Sequence, residues 1–136
     1  MSRRTARELA LRALFAVDCG NTPPEAALAQ AAETLPRSRQ DPDGFGTALL
    51  HGTLANLADL DAALVPHLRE WTLAQMPAVD RALLRLAAFE LLHTAEPVAA
   101  VISEAVVLAK QYSTAESGRF INGVLGTLAR ARPTTQ

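Results

Sequence analysis

The 136-residue chain has a single cysteine, Cys19. No internal disulfide can form, and a cysteine-based metal cluster has no ligands to draw on. Lysine is as scarce: of 13 basic residues only Lys110 is lysine, and the rest are arginine. The formal net charge of -1 excludes a uniformly basic coat for nucleic acid, though not a local basic patch. Apolar runs are broken by Arg, Glu or Gly well short of the roughly 18 residues a membrane span needs. The start, MSRRTARELA, has charge but no apolar run behind it, so a signal peptide is not expected and a reducing, cytoplasmic setting is. There is no Walker loop, no GxGxxG and no nucleophile elbow. His51, His67 and His93 lack metal-ligand spacing, and no two carboxylates pair by spacing for acid–base work. The expectation is a protein that is not an enzyme and holds neither cofactor nor metal.

What the chain does have is apolar content of 49% with 20% charged residues, enough for the core of one ordinary domain. Its long segments share a helical period, and Pro and Gly fall between them. Segment one runs from Arg3 to Cys19, with Ala6, Leu9, Ala10, Ala13, Leu14 and Val17 inward and Gly20-Asn21 as its stop. Segment two opens at Thr22-Pro23-Pro24-Glu25, read as a capping box with Pro23 at the first helical position, and ends at Pro36. Further helices are expected over 43–58, 59–68, 77–93, 97–112 and 117–131, with Pro66 shortening or kinking the fourth. Ile102, Ala105, Val106 and Ala109 should face inward on the sixth; Ile121, Val124, Leu125 and Leu128 should do so on the seventh. Gly123 and Gly126, inside that last pattern, read as sites of close helix packing. Seven short helices make an all-α fold, with two small bundles meeting at a hinge near residues 36–43.

Three places draw attention. Glu90 sits in an apolar stretch nearly opposite Arg81 on its helix, so a buried carboxylate with a partner is expected. Four arginines against one glutamate leave residues 1–12 at +3. Arg4, Arg7, Leu11 and Phe15 recur at i, i+3, i+7 and i+11, a face turned away from the main stripe. Cations at a helix N-terminus oppose its dipole, which points to a use such as phosphate contact, or else to a frayed arm. Near the other end, Lys110, Gln111, Tyr112 and Ser113 close one helix while Ser117, Arg119, Phe120 and Asn122 open the next. Cation, aromatic and helix N-terminus together suit phosphate and base; Tyr112 and Phe120 equally suit the core.

Three blocks resemble the NusB family of bacterial transcription antitermination factors. The first is Arg3-Arg4-Thr5-Ala6-Arg7-Glu8 with Ala13-Leu14-Phe15. The second is the run from Val79 to Leu91, VDRALLRLAAFEL. The third is Ile102-Ser103-Glu104-Ala105-Val106 with Leu108-Ala109-Lys110, followed by Arg119-Phe120-Ile121-Asn122-Gly123-Val124-Leu125. Their order and spacing hold over nearly the whole chain. The resemblance implies two small helical bundles and a non-enzymatic role: pairing with NusE, a small-ribosomal-subunit protein, to bind the boxA element of nascent RNA and help RNA polymerase read through terminators. It implies RNA contacts for Arg3, Arg4, Arg7, Lys110, Gln111, Arg119, Phe120 and Asn122, and a NusE-facing surface at Phe15 and Asp80. Phe15 stands where the family usually has tyrosine, Ser103 where it usually has asparagine, and Thr5 where some members have arginine. The resemblance also favours a structural Glu90. Two alternatives remain: a protein-binding module like the helical domain fronting some ribosomal RNA cytosine methyltransferases, and a self-associating module that forms a homodimer.

Overall fold

The computed structural model describes residues 3–35, 41 and 43–132. Among the described residues seven α-helices follow in order: α1 (Arg3–Gly20), α2 (Pro24–Thr34), α3 (Phe45–Ala55), α4 (Leu57–Leu64), α5 (Ala78–His93), α6 (Val98–Tyr112) and α7 (Ala115–Ala131). A 3-10 turn, Val65–His67, follows α4, as Pro66 predicts. The all-α expectation is met, and none of the described helices is long and apolar enough to cross a membrane. The helices pack as two units, Met1–Ala55 and Asn56–Gln136. The hinge expected near 36–43 falls largely outside the described residues; packing divides the chain between Ala55 and Asn56.

In the first unit α1 packs on both α2 and α3. That double contact corrects the expectation that Arg4, Arg7, Leu11 and Phe15 share a face turned away from the buried stripe. Arg4 and Phe15 are exposed, but Arg7 (6% exposed) and Leu11 (1%) are buried. A helix held by two neighbours hides more than one stripe. Asn21 takes the left-handed conformation (φ 52°) that ends α1, one asparagine tolerates. The expected capping box at Thr22 is absent. Pro23 is extended (φ -59°, ψ 143°), as the residue before a proline must be, so Pro24 is the first helical residue. Asp41 caps α3: its Oδ1 accepts the Gly46 N–H and its Oδ2 the Thr47 N–H, both at 3.0 Å.

The second unit buries α5 against α4, α6 and α7, and α6 packs most extensively on α7. Asn56 breaks the expected 43–58 helix at φ -122°, ψ 20°, so α4 starts two residues early. Asparagine leaves helical geometry readily, whereas the apolar period runs through it unbroken. On α6 the inward face is Val101, Ala105, Leu108 and Ala109; Ile102 and Val106 are half-buried. This corrects the predicted face. Ser103, Glu104, Lys110 and Gln111 all fall on one side of the helix and the buried residues lie opposite them, so the polar residues mark the inward face better than the apolar ones chosen. On α7 all four predicted core residues are buried. Glu90 is buried too, at 2% exposure. Arg85 forks onto Asp61 with two 2.8 Å hydrogen bonds, tying α5 to α4.

Gly46 brings α3 against α1. A Cβ there would stand 2.6 Å from the Ala6 carbonyl oxygen. That neighbour is backbone and cannot swing aside. Gly46→Ala should therefore destabilise the protein by about 1–3 kcal/mol despite alanine's better helix propensity. Thermal unfolding of the variant checks this; an unchanged melting temperature would mean that the helices separate at no cost.

Candidate nucleic-acid interface

The start of α7 is set by a chain of polar contacts. Thr114 is its N-cap, its side-chain oxygen accepting the Ser117 N–H at 2.9 Å. The Ser117 hydroxyl donates to Asp80 Oδ2 at 2.9 Å, and Ser113 Oγ lies 3.0 Å from it. Asp80 comes from the first turn of α5, so one carboxylate fixes where α7 begins. The resemblance placed Asp80 on a NusE-facing surface. It is only 4% exposed, and its carboxylate is turned to Ser117.

One turn on, Gly118 lets α6 and α7 approach. A Cβ at Gly118 would lie 3.1 Å from Lys110 Cγ, so the lysine stem rests over a position without a side chain. Gly123 and Gly126 play no such part: a Cβ at Gly123 would meet nothing within 4 Å, and one at Gly126 only the flexible end of Arg130. The expectation of close packing there is corrected. Lys110, Arg119 and Asn122 are thereby gathered round one groove of about 620 Å³, whose wall includes Ile102, Val106 and Val107. Lys110 and Arg119 are exposed, and neither has an ion-pair partner among the described residues. Gln111 is exposed on α6 but does not line the groove.

A second cleft, of about 300 Å³, adjoins the first through Arg119. Phe120, Gly123, Val124 and Thr127 of α7 line it, with His67 and Arg69 from the segment before α5. Trp71 stands against Phe120, ring centroids 6.4 Å apart at 58°, and is 48% exposed. Arg69 is held at φ 60°, a conformation costing a non-glycine residue roughly 1–2 kcal/mol. The segment is pinned by Arg81, whose Nη1 donates to the Leu73 carbonyl at 2.9 Å. Sequence reasoning missed Arg69 and His67 as cleft residues, and Trp71 beside Phe120. A sole tryptophan in a segment without apolar period was the available signal.

In the first unit Arg3 and Arg4 are exposed. The Arg3 guanidinium lies over the Phe45 ring, 3.8 Å from its centroid, and that of Arg7 is 5.5 Å away. The aromatic face offsets part of the unfavourable meeting of these cations with the α1 dipole. Arg7 is buried in this arrangement and offers little surface to a ligand. Phe15 is 40% exposed, an apolar ring in water. The histidines are dispersed: His51 Nε2 lies 2.8 Å from Glu25, His67 lines the second cleft, and His93 stacks on Phe89. Among the described residues no group of three or more His, Cys, Asp or Glu could hold a metal ion.

The sequence profile of the NusB family matches residues 4–130. A transcription antitermination protein NusB of Symbiobacterium thermophilum is 43% identical, covering 96% of this chain and 90% of its own length. NusB of T. maritima superposes with a TM-score of 0.84 at 31% identity, over 98% of this chain and 94% of that one. A chain from the crystal structure of antitermination factors NusB and NusE in complex with dsRNA superposes with a TM-score of 0.84 at 25% identity, over 95% and 96% of the two chains.

The Asp80–Ser117 contact should couple α5 to the first turn of α7. A double-mutant cycle of Asp80→Ala and Ser117→Ala should give a coupling of about 1 kcal/mol. Amide exchange in the first turn of α7 should quicken in either variant. Additive effects with unchanged exchange would mean that α7 is placed by apolar packing alone.

Proposed function

The chain belongs to the NusB family, and we propose that it acts as an RNA-binding adaptor that pairs with NusE on the boxA element of nascent, notably ribosomal, RNA. In this reading the pair joins the RNA polymerase antitermination complex in the cytoplasm and promotes read-through of terminators. The chain is not an enzyme: the family consists of antitermination factors. The observation that carries the RNA reading is the gathering of Lys110 and Arg119, which have no ion-pair partner among the described residues, with Asn122 round one groove. Two exposed cations and an amide at a groove edge suit phosphates and a base edge. The kinship with a chain solved alongside NusE and dsRNA supports the same reading.

The roles divide by exposure. Arg3 and Arg4 contact phosphate from the first unit; Lys110, Gln111, Arg119, Phe120 and Asn122 contact RNA from the second. Arg7, buried beside Phe45, steadies the base of that arginine face. Phe15 offers an apolar contact to NusE without the hydroxyl of the usual tyrosine. Asp80 acts on RNA indirectly, by placing α7. A net charge of -1 provides little long-range attraction, so RNA affinity alone is modest and rises when NusE binds a second stretch of the same RNA.

Fluorescence anisotropy of a labelled boxA RNA, with a scrambled RNA beside it, tests the proposal with and without NusE at several salt concentrations. Selective binding strengthened by NusE is the expected result. Arg3→Ala and Arg4→Ala should each weaken binding and flatten the salt dependence by about 0.7 per lost phosphate contact. Arg7→Ala should lower the melting temperature and leave the salt slope nearly unchanged. Equal or absent binding of both RNAs, with or without NusE, would refute the adaptor reading and favour self-association through the Phe15 face.

A further inference from the structure

We propose that Lys110 is an acylation site. An acyl phosphate, its phosphate held by Arg119, transfers its acyl group to Lys110 Nζ and so removes one cation from the groove between α6 and α7. The transfer stands on the groove alone; its consequence for RNA rests on the reading above.

Lys110 is the sole lysine among 13 basic residues. Every other basic position is arginine, whose guanidinium stays protonated and is a poor acyl acceptor. Among the cationic side chains this one alone can be neutralised by acylation. Its stem is also held in place. Lys110 Cγ and Cε lie 3.1 and 3.3 Å from where a Gly118 Cβ would stand. Nζ, one bond beyond Cε, is therefore kept at the groove instead of sweeping through solvent. No ion-pair partner among the described residues occupies the amine.

The groove around the amine suits an anionic donor. Its volume of about 620 Å³ falls within the range of small-molecule sites, about 300–1,000 Å³. Arg119 lines it, exposed and likewise without an ion-pair partner among the described residues, and none of the lining residues is acidic. Val106 Cγ1 lies 3.5 Å from the same Gly118 position, so an apolar surface for the acyl methyl adjoins the lysine stem. A phosphate fixed on Arg119 brings the acyl carbon to a pre-positioned nucleophile, which makes the transfer effectively intramolecular. The neutral amine attacks the carbonyl carbon. A C–N bond forms while the C–O bond to phosphorus-bound oxygen breaks. Inorganic phosphate leaves with that electron pair, and the nitrogen's proton passes to solvent. The product is an uncharged amide beside Val106, and one phosphate contact for RNA is lost.

The full chain is incubated with acetyl phosphate, and acetylation of Lys110 is followed by peptide mass mapping. An end-capped peptide spanning Leu108–Tyr112 reacts in the same tube as the reference. Lys110 of the folded chain should react about tenfold faster than the peptide's lysine. Inorganic phosphate and Arg119→Ala should each bring the rate down to that of the peptide. A neutral acetyl thioester, with no phosphate for Arg119 to hold, should show no preference for the folded chain. The acetylated chain should bind boxA RNA more weakly, with the salt dependence flattened by about 0.7. The same treatment of Lys110→Arg should leave that variant's own affinity unchanged, which excludes an effect of the terminal amine.

Equal rates in chain and peptide would overturn the site. An equal preference with the thioester would overturn capture of the donor by Arg119. An acetylated chain that binds RNA as tightly as the untreated one would overturn the switch. An untreated chain that binds no RNA, with or without NusE, would overturn the adaptor reading and the switch together, while the acylation rates would still decide the site.

Discussion

The hydrogen bond from Ser117 to Asp80 is the contact on which the second unit's surface depends. A carboxylate 4% exposed, on the first turn of α5, meets the hydroxyl that follows the N-cap of α7. Asp80 Oδ2 accepts from Ser117, while its Oδ1 is also buried and has no hydrogen-bond partner among the described residues, so the carboxylate can ill spare the one bond it makes to α7. The contact therefore restricts α7 to starts that bring Ser117 to Asp80. Once that start is set, helical geometry places Arg119, Phe120, Asn122 and Gly123 without further instruction. The grooves on either side of Arg119 follow from this single register.

Glycine decides how the two faces of α7 differ. At Gly118 the missing side chain is occupied by the stem of Lys110, which brings a cation from α6 to the helix start. At Gly123 the missing side chain leaves open space on a cleft wall. One absence draws a neighbour in and the other keeps neighbours out. Both weaken the helix intrinsically, and α7 tolerates this because Ile121, Val124, Leu125 and Leu128 are fully engaged with the core.

The first unit uses its arginines differently. Arg3 lies on Phe45 and remains at the surface, whereas Arg7 is taken into the packing beside the same ring. Charge near the N-terminus of α1 is thus partly structural. Among the described arginines of this unit, Arg3 and Arg4 remain exposed. Exposure, more than residue type, separates the surface arginines from the supporting one here.

The sequence by itself determined the helices, most of their ends and the α7 core, because apolar period, proline and Gly-Asn punctuation act within a few residues. It also pointed to Lys110, Arg119 and Asn122, whose spacing across one helix junction is local. Tertiary structure decided the rest. It set the inward face of α6 at Val101, Ala105, Leu108 and Ala109, by what packs against it. It buried Leu11 and Arg7 because α1 has two neighbours, and it turned Asp80 inward to Ser117, 37 residues away. Arg69 and His67 became cleft residues, and Trp71 met Phe120, only when the segment before α5 was laid beside α7. No short-range pattern encodes which side of a helix a distant segment will cover, since that is settled by the shape and polarity of the surfaces that meet.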